Sequence, residues 1–384
     1  MKKIILAIDS FKGSLSSTEA ATAAMKGIKK VWPEAQIKKI AVADGGEGLL
    51  NSLIQATNGK FINLYAHDPI MRKIPTRYGI LGDQKTAVIE VAEVNGLTLL
   101  SPFERHPLLT TSYGTGELIR DALEKGFRQF IIGLGGSAIC DGGLGMLEAL
   151  GIKFYDKSGK CLHGNGENMI RISKICCDEL IPAFHEANIT VACDVDNPFY
   201  GPSGAAYIFA PQKGATPAEV ELLDKGLKNL NTIFQQTIGS DVSAIPGSGA
   251  AGGLGGCITA FSHNCKLKAG IDLLLETIGF ADLIKDADLL ITGEGKSDIQ
   301  TLHGKVPMGI LRYGIKYKIP TILIAGAIDP AVASDLNKAG FRAVFSITPG
   351  PINLENAMNK KSAEQNMQNT MTQICRLIES VKNP

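Results

Sequence analysis

The chain alternates short apolar runs with amphipathic stretches. Residues 3–8 (KIILAI) are an apolar run of strand length, and the polar loop Asp9-Ser10-Phe11-Lys12-Gly13-Ser14 follows. Ser16 and Glu19 then stand at capping-box spacing. Behind them Ala20, Ala24, Ile28 and Val31 recur at helical spacing until Pro33 stops the pattern. Residues 37–43 (IKKIAVA) read as the next strand, and Asp44-Gly45-Gly46-Glu47-Gly48 turns the chain into another helix. Strand, loop and helix in this rhythm predict a parallel α/β sheet. From about 60 to 100 the texture changes. Segments 61–67, 75–81 and 86–92 are short and alternating, as antiparallel strands are. Beyond them the pattern predicts a helix over 114–126, a strand over 129–134 and a helix through Met146, Leu147 and Leu150. A strand is expected over 189–193. Thr216-Pro217-Ala218-Glu219 opens a long helix that Gly239 ends. Residues 286–291 read as a buried-type strand that ends at Thr292-Gly293-Glu294-Gly295, and 320–325 and 342–347 as two more, each following a helical stretch. The last dozen residues read as a helix and a loose end.

These elements predict an α/β protein of two domains. A discontinuous, parallel, Rossmann-like α/β domain is expected from 1–65 and 270–384, with a mixed α/β domain, 66–269, inserted in it. The length of 384 residues agrees with two cores. The 45% hydrophobic and 20% charged residues are ordinary for a globular chain. A net charge of +1 gives no electrostatic case for nucleic acid or an anionic membrane. The apolar run after Met1-Lys2-Lys3 is too short for a signal peptide, and no run approaches the ~18 apolar residues of a membrane span. The eight cysteines have no C-x-x-C spacing and the six histidines are scattered, so neither a zinc site nor a disulfide framework is expected. A cytoplasmic location follows from these expectations.

Glycine changes the picture, because much of the total of 43 is clustered at apparent strand ends. Ligands in open α/β sheets bind at the carboxyl ends of strands, and backbone N–H groups at a helix start point at anions. Asp9 and Lys12 therefore sit at an expected site mouth, although a plain loop with a capping serine explains them too. Asp44 and Glu47 lie on one face of a first helical turn. Three glycines in that segment exceed what a cap needs. Gly133-Leu134-Gly135-Gly136-Ser137-Ala138, then Asp141-Gly142-Gly143, is the densest phosphate-loop candidate. It is neither a Walker A motif nor G-x-G-x-x-G, and tight helix–strand packing also requires small residues. Gly247–Gly256 (GSGAAGGLGG) is either an anion nest or a close-packed helix start. Asp194 and Asp196 suit Mg²⁺ or a substrate hydroxyl, or else an ordinary Asx turn before Pro198. Thr292-Gly293-Glu294-Gly295-Lys296-Ser297-Asp298-Ile299-Gln300-Thr301 closes an apolar run with acids and bases in ten residues. His303, His263, Tyr113 and Trp32 have ordinary packing explanations, and Lys26, Lys29 and Lys30 read as a solvated helix face.

DSFKGS (9–14), VADGGEG (42–48), TTSYGTGELI (110–119), GLGGSAICDGG (133–143), ACDVDNPFYGPSGA (192–205), PQKGA (211–215), GAAGGLGG (249–256) and ITGEGKSDIQTLHGKVP (291–307) occur in this order. Together they resemble the bacterial glycerate kinase family, from Met1 to about residue 350. The resemblance implies two α/β domains with the active site in the cleft between them. It also implies ATP and Mg²⁺ as cofactors and D-glycerate as the substrate. 2-phosphoglycerate is expected ahead of the 3-isomer that other members make. Carried to matching positions, Lys12, Asp194 and Lys296 are the expected catalytic residues. Asp9, Ser14, Asp44, Glu47, Gly135, Gly136, Ser137, Asp141, Gly252, Gly253, Glu294 and Gln300 are expected at substrate or phosphate. Asp44, Asp194 and Asp298 are the expected metal ligands, Asp194 is the preferred proton acceptor, and Arg72 is one candidate for the substrate carboxylate. The chain departs from the family pattern G-G-S-A-T-N-D-G-G at Ile139 and Cys140, which raises the question of a weakened ligand contact. The rival readings are an NAD-dependent oxidoreductase, which the missing G-x-G-x-x-G disfavours, and a non-catalytic sugar-acid-binding protein. The protein is expected to be a monomer or homodimer.

Overall fold

The computed structural model describes residues 2–43 and 48–382. The expected site residues Asp44 and Glu47 lie outside the described residues. The chain divides into two compact units, Met1–Asp44 with Ile271–Pro384, and Gly45–Gly270. Its strands are β1 (Lys3–Ile8), β2 (Gln36–Lys39), β3 (Lys60–His67), β4 (Lys73–Ile80), β5 (Thr86–Glu90), β6 (Gln129–Gly133), β7 (Lys153–Tyr155), β8 (Cys161–Leu162), β9 (Lys174–Cys176), β10 (Asn188–Ala192), β11 (Asn264–Lys268), β12 (Leu289–Ser297), β13 (Thr321–Ile328) and β14 (Ala343–Ser346).

The first unit carries a five-stranded sheet in the order β14-β13-β12-β1-β2, parallel throughout. β1 is buried on both faces, which is why it reads as a continuous apolar run. The helix Ser17–Lys29 is closed at its start by the Ser16/Glu19 capping box. Its small residues Ala20, Ala24 and Gly27 turn inward. The C-terminal helix Lys360–Lys382 lies against it, with Met367, Met371 and Ile374 in the shared core. That helix is about twice as long as the tail expected from sequence.

Two strands differ from expectation. β2 stops at Lys39, not at residue 43. Ile40 N–H makes the last bond to the Leu6 carbonyl, and Val42 N–H then turns to Ser17 Oγ. β12 runs on through the expected loop to Ser297, because β13 extends alongside it and pairs Glu294 with Ala325 and Lys296 with Ala327. Gly293 permits this pairing: a Cβ there would meet the Ile324 carbonyl oxygen at 2.3 Å.

The second unit carries a six-stranded mixed sheet in the order β11-β10-β6-β5-β4-β3. β3 and β4 form the expected antiparallel hairpin and β5 pairs antiparallel with β4. β5, β6, β10 and β11 are mutually parallel. The long helix Pro217–Ile238 has the predicted Thr216/Glu219 capping box and a left-handed Gly239 at its end. It buries Val220, Leu223, Leu227, Leu230 and Phe234, at roughly 1.5–3 kcal/mol for each large side chain. A three-stranded antiparallel sheet, β8-β7-β9, is a further element that the sequence pattern did not reveal. No described helix is long and apolar enough to cross a membrane.

Candidate active site

In the first unit the candidate residues gather where β1 and β12 end. Asp9 leaves β1 with its N–H on the Gly293 carbonyl at 2.9 Å. Its carboxylate accepts the Ser10 N–H at 2.6 Å. Phe11 and Leu15 then pair back on each other in a tight turn that exposes Lys12. The Lys12 ammonium has no ion-pair partner among the described residues. Ser14 Oγ is buried and has no hydrogen-bond partner among the described residues. The turn lies against β12: a Cβ on Gly295 would stand 3.4 Å from Phe11 Cα and 3.5 Å from Lys12 N.

β12 presents Glu294 at 5% exposure. Its Oε1 accepts from Ser297 Oγ at 2.7 Å and from Thr301 Oγ1 at 2.6 Å. Burial raises this carboxyl above its ordinary range, while the two hydroxyls and the Lys305 charge pull it back. Thr301 Oγ1 also accepts the Asp298 N–H, so the turn after β12 is wired to Glu294. Asp298 caps the short helix Ile299–Leu302 through the Gln300 N–H and lies 3.8 Å from the exposed Lys296 ammonium. The structure thus brings Glu294, Lys296, Asp298 and Gln300 together in one turn and places Asp9, Lys12 and Ser14 on the loop beside it.

In the second unit Glu90, Gly133, Ala192 and Lys268 stand in register at the ends of four adjacent parallel strands. The loops that follow open on one sheet edge, the position at which such sheets bind ligands. The loop after β6 is held by Leu97 N–H on the Gly136 carbonyl and Ala138 N–H on the Asn95 carbonyl, both at 2.8 Å. The N–H groups of Gly135, Gly136 and Ser137 have no acceptor among the described residues. Asp194 follows β10, is exposed, and accepts the Gly270 N–H at 2.8 Å.

Asp141 has no exposure. It accepts four hydrogen bonds, from Ser112 N, Ser112 Oγ and Gly145 N on one oxygen and Gly143 N on the other. Burial, the largest influence, lifts its carboxyl above the ordinary range against those four donors. Gly252 and Gly253 back onto the same loop. Gly252 accepts the Gly142 N–H, and a Cβ on it would meet the Ile139 carbonyl oxygen at 2.3 Å and Cys140 Cα at 2.5 Å. The second glycine run is therefore close packing against the first, and the close-packing alternative accounts for it.

Two further expectations meet residues that are engaged within the protein. Arg72 is committed elsewhere: its Nε holds Asp68, its Nη1 holds Glu104 and its Nη2 holds the Leu99 carbonyl. Ile139 and Cys140 both have no exposure and belong to the second unit's core. Burial pushes the Cys140 thiol up to about 11. Their departure from the family pattern is a change of core packing, and the support it lent to a non-catalytic reading falls away.

Other residues at the site went unnoticed in the sequence. Glu90, nearly buried at the end of β5, caps the helix Leu49–Thr57, its two oxygens accepting Gly48 N–H and Leu50 N–H at 2.9 Å each. Lys213 is 3% exposed, and its Nζ donates to Ser137 Oγ at 3.1 Å and to the Ile139 carbonyl at 2.6 Å. Burial lowers its ammonium to about 8, while Cys140 and Asp141 oppose the shift. PQKGA carried that signal, since a lysine inside an otherwise small, apolar segment has to be placed somewhere.

An implied Mg²⁺ can be tested against the donors. The described residues contain no cluster of three or more His, Cys, Asp or Glu side chains. Mg²⁺ beside phosphates needs only one or two carboxylates and keeps waters. Asp194 in the second unit and Asp298 in the first are each a hard oxygen donor of that kind at a loop position, so either residue suits the ion by itself.

Non-Walker glycine loops at the ends of parallel strands suit phosphate binding, and the family and relatives named next make the chain a phosphotransferase, a kinase acting on an alcohol group. The sequence pattern of the Glycerate kinase family matches residues 4–379, and the chain belongs to that family. It is 43% identical to a glycerate kinase of Bacillus subtilis (strain 168) over 380 residues, covering 99% of this chain and 98% of the relative. It is also 43% identical to a glycerate 2-kinase of Escherichia coli (strain K12) over 345 residues, 90% of each chain. The crystal structure of an inferred glycerate kinase 2 from Salmonella typhimurium LT2 superposes with a TM-score of 0.87 at 39% identity, over 100% of both chains.

Proposed function

We propose that the protein phosphorylates D-glycerate from Mg·ATP to give 2-phosphoglycerate in the cytoplasm. The observation that carries this reading is the run of consecutive N–H groups at Gly135, Gly136 and Ser137, on the same sheet edge as the exposed carboxylate of Asp194. Donors fixed in that way stabilise phosphate oxygens without reorganising during the reaction. The relative named glycerate 2-kinase favours the 2-isomer.

In this reading one or two of Asp44, Asp194 and Asp298 would hold Mg²⁺, which would offset phosphate charge when bound. Asp194 accepts the proton of the substrate hydroxyl. Lys12 or Lys296 balances charge on the transferred group, and both are exposed, as cations that must meet a mobile ligand need to be. Asp9, Ser14, Glu47 and Gln300 line the ligand. Glu294 orders its turn through Ser297 and Thr301. Asp141, Gly252 and Gly253 support the loop through their contacts with it.

³¹P NMR of the protein with Mg·ATP and D-glycerate tests this. A new phosphomonoester signal with ADP is expected, with a proton coupling that places the phosphate on carbon 2. No phosphomonoester from a folded sample would refute the kinase reading, and a coupling pattern for carbon 3 would refute the product. Lys12→Met should lower turnover by orders of magnitude, and near-normal turnover removes Lys12 from the reaction.

A further inference from the structure

Lys213 is an uncommon residue in the second unit. It is nearly without exposure, yet no carboxylate lies within ion-pair distance of it among the described residues. An ammonium has three donors, and only two have acceptors here, Ser137 Oγ and the Ile139 carbonyl. A buried charge with neither counter-charge nor a full set of bonds is costly.

A second cation stands on the adjoining segment. Arg105 backs onto Gly214, the residue after Lys213: a Cβ on Gly214 would meet the Arg105 carbonyl oxygen at 2.5 Å and its Cβ at 3.1 Å. Arg105 Nε is buried and has no acceptor. Its neighbour Glu104 is engaged with Arg72. Such an orphaned donor calls for a partner that the described residues do not supply.

The missing quantity in both cases is negative charge with acceptor oxygens. Lys213 touches the hydroxyl of Ser137, whose N–H closes the row of three unengaged donors that begins at Gly135. We propose that Lys213 and Arg105 supply the positive charge of an oxyanion site built on the Gly135–Ser137 loop, which takes either the substrate carboxylate or a nucleotide phosphate. The proposal rests on the kinase reading for the identity of those two anions. Lys213 acts on the ligand through Ser137, whose Oγ accepts from the ammonium and can donate its own hydrogen to an anion at the loop.

Binding measured without turnover tests this on the whole chain. Isothermal titration with D-glycerate alone and with ADP alone would be run on the wild type, Lys213→Met, Lys213→Arg and Arg105→Met. Loss of one charge-assisted bond weakens binding by about ten- to a hundred-fold. Lys213→Met and Arg105→Met should each lose that much for the same one of the two ligands. Lys213→Arg, which keeps the charge, should recover most of the affinity. A loss confined to glycerate assigns the carboxylate, and a loss confined to ADP assigns the phosphate. A lysine that only staples the loop would lower the melting midpoint and leave both affinities within about twofold, which overturns the proposal. Should Lys213→Met not fold, Arg105→Met decides, and unchanged affinities there overturn it equally. A wild type that binds D-glycerate but never forms product would strike at the kinase reading alone.

Discussion

Asp141→Ala should destabilise the Gly45–Gly270 unit severely. The carboxylate is wholly buried and takes hydrogen bonds at 2.7, 2.7, 3.0 and 3.0 Å. Alanine leaves three backbone N–H groups and the Ser112 hydroxyl facing a void. An unmet buried donor costs about 1–3 kcal/mol. Two effects offset part of this. The variant no longer has to desolvate a carboxylate, and a water can enter the space that the carboxyl leaves. If they cancel about half of the loss, a net cost of about 2–6 kcal/mol remains, which spans the size found on breaking other buried charged clusters. For a unit of this size each kcal/mol shifts the midpoint by about 2–4 °C, so the unit's transition should fall by roughly 4–24 °C. Asp141→Asn keeps an acceptor for the three donors on one oxygen and should lose clearly less. Scanning calorimetry of the full chain resolves this, since a two-unit protein need not melt in one step. An alanine variant that melts within about 2 °C of the wild type but has lost turnover would show that Asp141 faces the ligand and that the packing argument is mistaken.

Gly252→Ala should cost about 2–5 kcal/mol, because φ of +67° disfavours a side chain and the new Cβ would overlap backbone atoms at 2.3 and 2.5 Å; chemical denaturation checks this, and a loss under about 1 kcal/mol contradicts it. Cys140→Asn puts an amide into a site with no exposure, so stability should drop by about 1–3 kcal/mol with turnover within twofold; a large gain in turnover would restore Cys140 as a ligand-facing position. Lys213 gives a pH signature. Its folded value is about 8 against an ordinary 10.5, so the folded state favours the neutral amine. The stabilisation is complete above pH 10.5 and is lost as pH falls through 8, and it amounts to about 3 kcal/mol. The stability difference between wild type and Lys213→Met should therefore shrink or reverse as pH falls from 10.5 to 8 in ligand-free protein, and a difference that does not vary with pH across that window contradicts it.

The loops proposed to carry chemistry stand out in the sequence because their signal is local. Asp9 through Ser14, Gly133 through Gly143 and Thr292 through Thr301 each put glycines and charged residues within about ten positions of a strand end. The strands themselves were legible from burial on both faces, as in β1, and the helices from their caps, as at Ser16 and Thr216. The extension of β12 to Ser297 was not, because it depends on β13 lying alongside, which is a tertiary pairing that overrides the glycines. Groups that hold the loops were also hidden. Glu90 is 42 residues from Gly48, and Lys213 is 76 residues from Ser137. Nothing near either residue in the chain announces its partner. Arg72 shows the converse: an exposed arginine in the sequence looks available until Asp68, Glu104 and the Leu99 carbonyl are seen to take its three nitrogens.

The glycine runs do two things that sequence reading set against each other. Around Gly252 and Gly253 the missing side chains let two backbones touch, with Gly142 donating across the contact. At Gly135 and Gly136 the backbone donors have no acceptor among the described residues. The first arrangement supports the second. The loop after β6 is fixed from behind by Gly252, through Asp141 by Ser112 and Gly145, and from below by Lys213. In the proposed reading its unengaged donors then need no reorganisation to take an anion, which is the condition under which such donors contribute most. Loosening any of the supports should therefore cost turnover as well as stability, even at residues that never meet the ligand.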